Sequence, residues 1–307
     1  MKYVFHPEAL AEYAEAVQYY VVHFDSRSNA LQSRAWVLEK PQIIETFSNP
    51  TFKMSEITLL HEIAHCPHAR FCRENPAAEH PCSEIVDYQR SLNLDKFQVP
   101  EPWSGHIEKA PILFLSSNPS IGAGENYPNW SWSDDDMEDY FSYRFGGGRK
   151  EWIVNGTKSL LMDGTYSHAV KFWAAVRQRA MELFERDVLP GIDYALTEIV
   201  HCKSHKEIGV ERAQNKCVKA YLLRTLELAG AKVIVVLGVS ARKAIQSQFN
   251  IPEKISVSEA IKIGSSERFF AFLPHPNAHK DRSFSKCFQD DELEKLRASL
   301  HPWKNGE

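Results

Sequence analysis

The run Lys232-Val-Ile-Val-Val-Leu-Gly238 carries no polar side chain between its two ends. A strand with one wet face alternates apolar and polar residues. An unbroken apolar run instead needs cover on both faces, which helices supply in a parallel sheet. The flanking sequence is spaced to match. Apolar strands are predicted at 111–116, 194–200, 232–238 and 268–273. Helices are predicted at 167–186, 210–229 and 290–300, with another after Gly238 capped by Ser240. In the first of these, Ala169, Phe172, Trp173, Val176 and Met181 recur at helical spacing. Strands and helices that alternate in this way predict an α/β fold: a three-layer α/β/α sandwich with a mostly parallel central sheet.

The regular pattern begins at residue 111, which divides the 307-residue chain. Residues 1–60 read as an N-terminal extension, opening with a short strand and a helix within 1–22. Residues 61–307 read as the main domain, with a cysteine- and histidine-rich lead-in over 61–110 and a core over 111–300. No apolar run reaches membrane-spanning length, so a cytoplasmic, monomeric protein without a membrane partner is expected. The net charge of −4 gives no overall attraction to nucleic acid. A local basic rim is enough to contact a few phosphates, so DNA stays open as a partner. Six cysteines in such a chain read as thiols or metal ligands rather than as a disulfide framework.

Two strands end abruptly in proline-containing polar turns: Leu113-Phe-Leu-Ser-Ser-Asn-Pro-Ser120 and Phe272-Leu-Pro-His-Pro-Asn277. Open α/β sheets place their sites at the carboxyl ends of strands, so these turns are the first candidates for chemistry. With two further segments they resemble the uracil-DNA glycosylase superfamily, over roughly residues 60–300. Leu115-Ser-Ser-Asn-Pro-Ser120 is similar to the first motif of its mismatch-specific branch. Leu196-Thr-Glu-Ile-Val-His-Cys202, followed by Cys217, resembles the iron–sulfur branch, as does the apolar strand 232–238. Leu273-Pro-His-Pro-Asn277 is similar to the second catalytic motif.

The resemblance implies a uracil-DNA glycosylase-like fold and a monofunctional DNA glycosylase that hydrolyses the N-glycosidic bond of a flipped base. Cleavage of that bond builds positive charge on the sugar and negative charge on the base. Asn118 would orient a water toward C1′; an amide is too weak a base to deprotonate it. His275 would hydrogen-bond the base as charge accumulates there. No lysine lies in either motif, so no Schiff-base step is expected. Glu198 stands where the iron–sulfur branch usually has asparagine. As an ionised carboxylate it would accept from the exocyclic amino group of cytosine and repel the O4 of uracil, pointing to a modified cytosine-like base, as in phage DNA. Trp130, with Tyr127 in reserve, would stack on the flipped base, and Asn277 would join in binding it. His279, Lys280 and Arg282 would meet DNA beyond the second turn, and Lys203, His205 and Lys206 would add to a basic rim. Conventional uracil or mismatch repair is the alternative substrate reading, and an inactive DNA-binding module the non-enzymatic one.

The resemblance also implies a four-cysteine 4Fe–4S cluster, with a structural zinc as the alternative; neither is needed for the chemistry. Cys72, Cys82, Cys202 and Cys217 are the expected ligands and Cys66 the substitute, since thiolates suit both centres. Cys287 has no partner by spacing. A rival signal is His61-Glu-Ile-Ala-His65, which reads HExxH. On a helix its histidines share a face, and Glu62 would activate a zinc-bound water, with Glu84 as a third ligand; this is the metalloprotease alternative.

Overall fold

The computed structural model describes residues 55–93, 96–122, 124–278 and 281–304. All belong to one compact unit that begins at Met54. The strand and helix expected within 1–22, and all but the last residues of the expected 1–60 extension, lie outside the described residues.

The lead-in is helical: α1 (Glu56–Ala64), α2 (Pro67–Glu74) and α3 (Ser83–Arg90). Ser55 caps α1 by accepting from the Thr58 N–H, and Pro67 opens α2 at a position where its missing N–H costs nothing. Strand β1 (Ile112–Ser116) follows, and an insert holds α4 (Asp134–Ser142) and the small hairpin β2 (Ile153–Val154) and β3 (Lys158–Ser159). Next come α5 (Lys171–Phe184), β4 (Tyr194–Glu198), α6 (Val210–Cys217), a π-helical turn (Val218–Leu222) and α7 (Leu223–Leu228). The chain closes with β5 (Val233–Leu237), α8 (Val239–Phe249), β6 (Ile261–Ile263), β7 (Ser266–Leu273), α9 (Phe284–Cys287) and α10 (Asp290–Ser299).

The five-stranded sheet has the order β4-β1-β5-β7-β6. The first four strands are parallel, and β6 pairs antiparallel with β7 at the edge. The sequence pattern left β6 unmarked because Ile261-Lys-Ile263 is too short for a periodic signal. Successive residues of each strand point to opposite faces, and both faces are covered. Leu113, Leu115, Ala195, Ile234, Val236, Phe270 and Phe272 enter a core with the lead-in helices, α6 and α8. Ile112, Phe114, Tyr194, Leu196, Val233, Val235, Leu237, Ala271 and Leu273 enter a second core with α5, α9 and α10. That is the covered apolar sheet that residues 232–238 require, and the layers are α/β/α.

Two details depart from expectation. Gly238, not Ser240, caps α8, and the Ser240 hydroxyl donates to Gln214 Oε1 at 2.8 Å. The helix expected over 210–229 loosens into the π turn directly after Cys217, a distortion that frequently accompanies functional sites.

Candidate active site

Because β1, β4 and β7 are parallel, Ser116, Glu198 and Leu273 end at the same edge of the sheet. The turns beyond them, the insert and the start of α5 enclose a cleft of about 570 Å³. Asn118, Glu198, Lys203, Lys206, His275 and Asn277 all line it, so six of the sequence-predicted residues converge.

Asn118 is half-buried and its amide is oriented. Nδ2 donates to Ser204 Oγ at 2.7 Å and to the Pro119 carbonyl at 2.9 Å. Those bonds fix the amide flip and leave Oδ1 as the acceptor, approached only by Ser117 Oγ at 3.4 Å. His275 stacks on Phe172, with ring centroids 5.6 Å apart. Its Nδ1 accepts from the Asn277 N–H at 3.2 Å, so in the neutral ring Nε2 carries the hydrogen. Burial lowers its pKa, which favours that neutral form. Gly238 allows the close approach: its φ is +90°, and a Cβ there would lie 3.2 Å from His275 Cβ.

Glu198 is buried at the floor and accepts from Ser116 Oγ. Burial pushes its pKa up to about 8, with the nearby Glu101 adding to the rise and Lys203 and Arg144 opposing it. At neutral pH the carboxyl is therefore mostly protonated, whereas the sequence reading assumed an ionised group. A neutral acid offers one donor and one acceptor.

Beneath it lies a charge network with no motif in the sequence. Arg144, 2% exposed, donates through Nη1 to Glu101 Oε1 and Ser104 Oγ and through Nη2 to Glu125 Oε1, each at 2.8 Å. Lys203 Nζ lies 3.5 Å from Glu125 and 4.0 Å from Glu101. The Tyr127 and Tyr140 hydroxyls donate to Glu101 and Glu125 at 3.1 and 3.0 Å. Two cations thus balance two carboxylates, and a neutral Glu198 leaves the floor without excess charge. Lys203 is part of this interior network and not of a surface rim.

The expected stacking residues lie elsewhere. Tyr127 is buried in the network, with Lys203 Nζ 3.4 Å from its ring centroid, and Trp130 stacks on Phe97 at 4.3 Å. The aromatics that line the cleft are Phe172 and Trp173 of α5. The sequence reading assigned them to a helical stripe, a pattern that does not distinguish core from cleft. Lys206 and Glu207 also line the cleft, both with φ in the left-handed region, while His205 stacks on exposed Tyr88 at 4.5 Å. Arg282 is exposed beside a second hollow of about 590 Å³ that it shares with Lys171, Arg179 and Asn277. His279 and Lys280 lie outside the described residues.

Cys66, Cys72, Cys82, Cys202 and Cys217 are buried free thiols. Three segments of the chain bring them close to one another. Burial raises each pKa, to about 12 at Cys217, and neighbouring thiols add to the rise at Cys72, Cys82, Cys202 and Cys217. Of those neighbours, Cys66 acts most strongly on Cys202 and is the one that acts on Cys217. Cys72 has a further partner, its Sγ lying 3.2 Å from His80 Nδ1. Gly209 allows the segment bearing Cys217 to approach Cys82: a Cβ there would lie 2.3 Å from Ile85 N. A single zinc with Zn–S bonds of about 2.3 Å holds its sulfurs about 3.8 Å apart. Among the described residues, no three cysteine sulfurs lie within 4.8 Å of one another. Buried thiols of this kind are a donor set that serves either an iron–sulfur cluster or zinc.

The HExxH segment does not assemble as a protease site. Glu62 makes a two-pronged ion pair with Arg224, one contact being 2.6 Å, and Glu84 pairs with Arg212 at 3.6 Å. Neither joins the histidines. No protein-family model matches this chain, and no curated protein matches it.

Proposed function

We propose that the protein is a monofunctional DNA glycosylase acting on a flipped, modified cytosine-like base. The observation that carries the reading is the meeting of Asn118, Glu198 and His275 around one cleft, two turns and a strand end that are far apart in sequence. In the reaction, Oδ1 of Asn118 accepts a hydrogen bond from a water and aims it at C1′. The C1′–N bond breaks and its electron pair stays on the base, where the Nε2–H of His275 stabilises the charge. The water oxygen forms the new bond to C1′ and releases a proton to solvent. Neutral Glu198 has the donor and acceptor needed to meet N3 and the amino group of cytosine together. Phe172 and Trp173 supply apolar walls for the base. The basic hollow beside the His275 turn, with Lys171, Arg179 and Arg282, suits adjacent phosphates.

A neutral Glu198 also matches the O4 and N3–H of uracil, which supports conventional uracil repair as a second reading. An excision screen over duplexes containing uracil, cytosine and phage-type modified cytosines separates the two, with Asn118→Ala as control. Excision of a modified cytosine alone is the expected result. Excision of uracil alone selects repair, and binding without excision on every duplex selects the non-enzymatic module.

In this reading Cys66, Cys82, Cys202 and Cys217 hold a 4Fe–4S cluster, and Cys72 is the surplus thiol. The cluster would tie the lead-in helices to the segment after β4, a structural contribution with no part in cleaving the glycosidic bond.

A further inference from the structure

We propose that His61, His65 and Asp134 form a binding site for a zinc-like divalent cation that clasps α4 to α1. His61 lies in the last turn of α1 and His65 at its C-cap, so the i, i+4 spacing turns both rings to one side. Asp134, in the first turn of α4, meets them from across the gap. Its Oδ1 lies 3.6 Å from His61 Nδ1 and 3.5 Å from His65 Nε2, and the three ligand atoms all fall within 4.8 Å of one another.

These spacings suit a metal. Zinc bonds of about 2.0–2.2 Å to nitrogen and oxygen, arranged tetrahedrally, separate ligand atoms by about 3.4 Å. They suit direct hydrogen bonds less well, since the His61 Nδ1 separation is already too long for one. His61 Nδ1 is buried and has no hydrogen-bond partner, which a bound cation would supply. Two imidazoles and one carboxylate are a donor set zinc prefers over magnesium or calcium. The fourth position is left to water.

The inferred site is a binding site: Glu62, the carboxylate that HExxH sites set beside a zinc-bound water, is paired with Arg224. What the cation joins is more telling. Beyond Asp134, α4 carries Tyr140, which bonds Glu125, and the chain then reaches Arg144 at the centre of the charge network. A cation at Asp134 would fix the start of the segment that carries these groups, adding a crosslink between the lead-in and the insert.

The test is metal binding by the full-length protein, counted after equilibration with zinc and removal of the excess. Wild type is compared with His65→Ala, Asp134→Asn and Glu84→Gln. Wild type and Glu84→Gln are expected to retain one zinc more per chain than the other two. The variants alter partly or largely exposed side chains, and circular dichroism checks that they fold. Cobalt(II) distinguishes this site from the thiols: the bands lost in Asp134→Asn should be d–d transitions without thiolate charge transfer. Equal zinc content in wild type, His65→Ala and Asp134→Asn would overturn the proposal. So would a cobalt spectrum that Asp134→Asn leaves unchanged.

Discussion

Ser116 and Glu198 are direct partners across the parallel β1–β4 pair, and the serine hydroxyl donates to Glu198 Oε2 at the point where both strands end. The bond holds a buried carboxyl whose pKa rises from 4.5 to about 8 because burial disfavours its charged form. Unfolded chain loses this proton near 4.5, while the folded protein keeps it until about 8. The stability cost is therefore absent below the lower value, grows between the two, and is complete above the upper one. Glu198→Gln, neutral at every pH, should melt close to wild type at about pH 4 and clearly above it at about pH 9. Excision should decline in wild type as the pH passes 8 and should lose that decline in the variant. Parallel melting curves across this range would refute the assignment.

Arg144 neutralises Glu101 and Glu125 in a site almost closed to water. Removing one member of a buried ion network leaves the others unpaired, at a cost of about 3–5 kcal/mol. Arg144→Met should lose stability of that order in urea unfolding. Arg149→Met, at an exposed ion pair with Asp136, should lose less than about 1 kcal/mol.

This network was hidden in the sequence for a physical reason. Its members act through three-dimensional closeness: Glu101, Glu125, Arg144 and Lys203 come from separate loops, with no spacing that a motif could capture. The sheet was legible because an apolar run such as Val233–Leu237 has few alternatives to a doubly covered strand. Asn118 and His275 were legible because turns after such strands share an edge. Trp130 misled because spacing along a loop does not fix its path, and the loop folds that ring onto Phe97. Glu198 lines the cleft, but burial raises its pKa, an effect of neighbours that the sequence does not reveal. Asp134 faces His61 and His65 from an insert whose docking no local pattern records.

In the proposed reaction Asn118 and His275 act on opposite ends of the breaking bond, and both are only partly buried. Asn118→Ala and His275→Ala should each reduce single-turnover excision by about a hundred- to a thousandfold, the usual loss for one positioned polar group. Melting temperatures should change little. Because burial lowers the His275 pKa, the rate should stay level on the acid side until below the ordinary histidine range of about 6.5. A rate that already falls between about pH 7 and 6 would remove neutral His275 from the mechanism.

Cys66 and Cys72 separate two ligand assignments for the proposed cluster. Cys66 has the strongest thiol influence on Cys202, whereas Cys72 is engaged with His80. Both are buried, so stability alone does not distinguish them. Iron and sulfide content of anaerobically purified protein does, together with the broad visible absorption of a thiolate-bound cluster. Cys66→Ser should lose the iron and the absorption, as should Cys82→Ser, Cys202→Ser and Cys217→Ser. Cys72→Ser should keep both, because its sulfur is already engaged with His80 Nδ1. Loss of iron in Cys72→Ser with retention in Cys66→Ser would reverse the assignment. Iron absent from wild type itself would leave the thiols as buried core residues, whose substitution by serine costs packing and the burial of a hydroxyl.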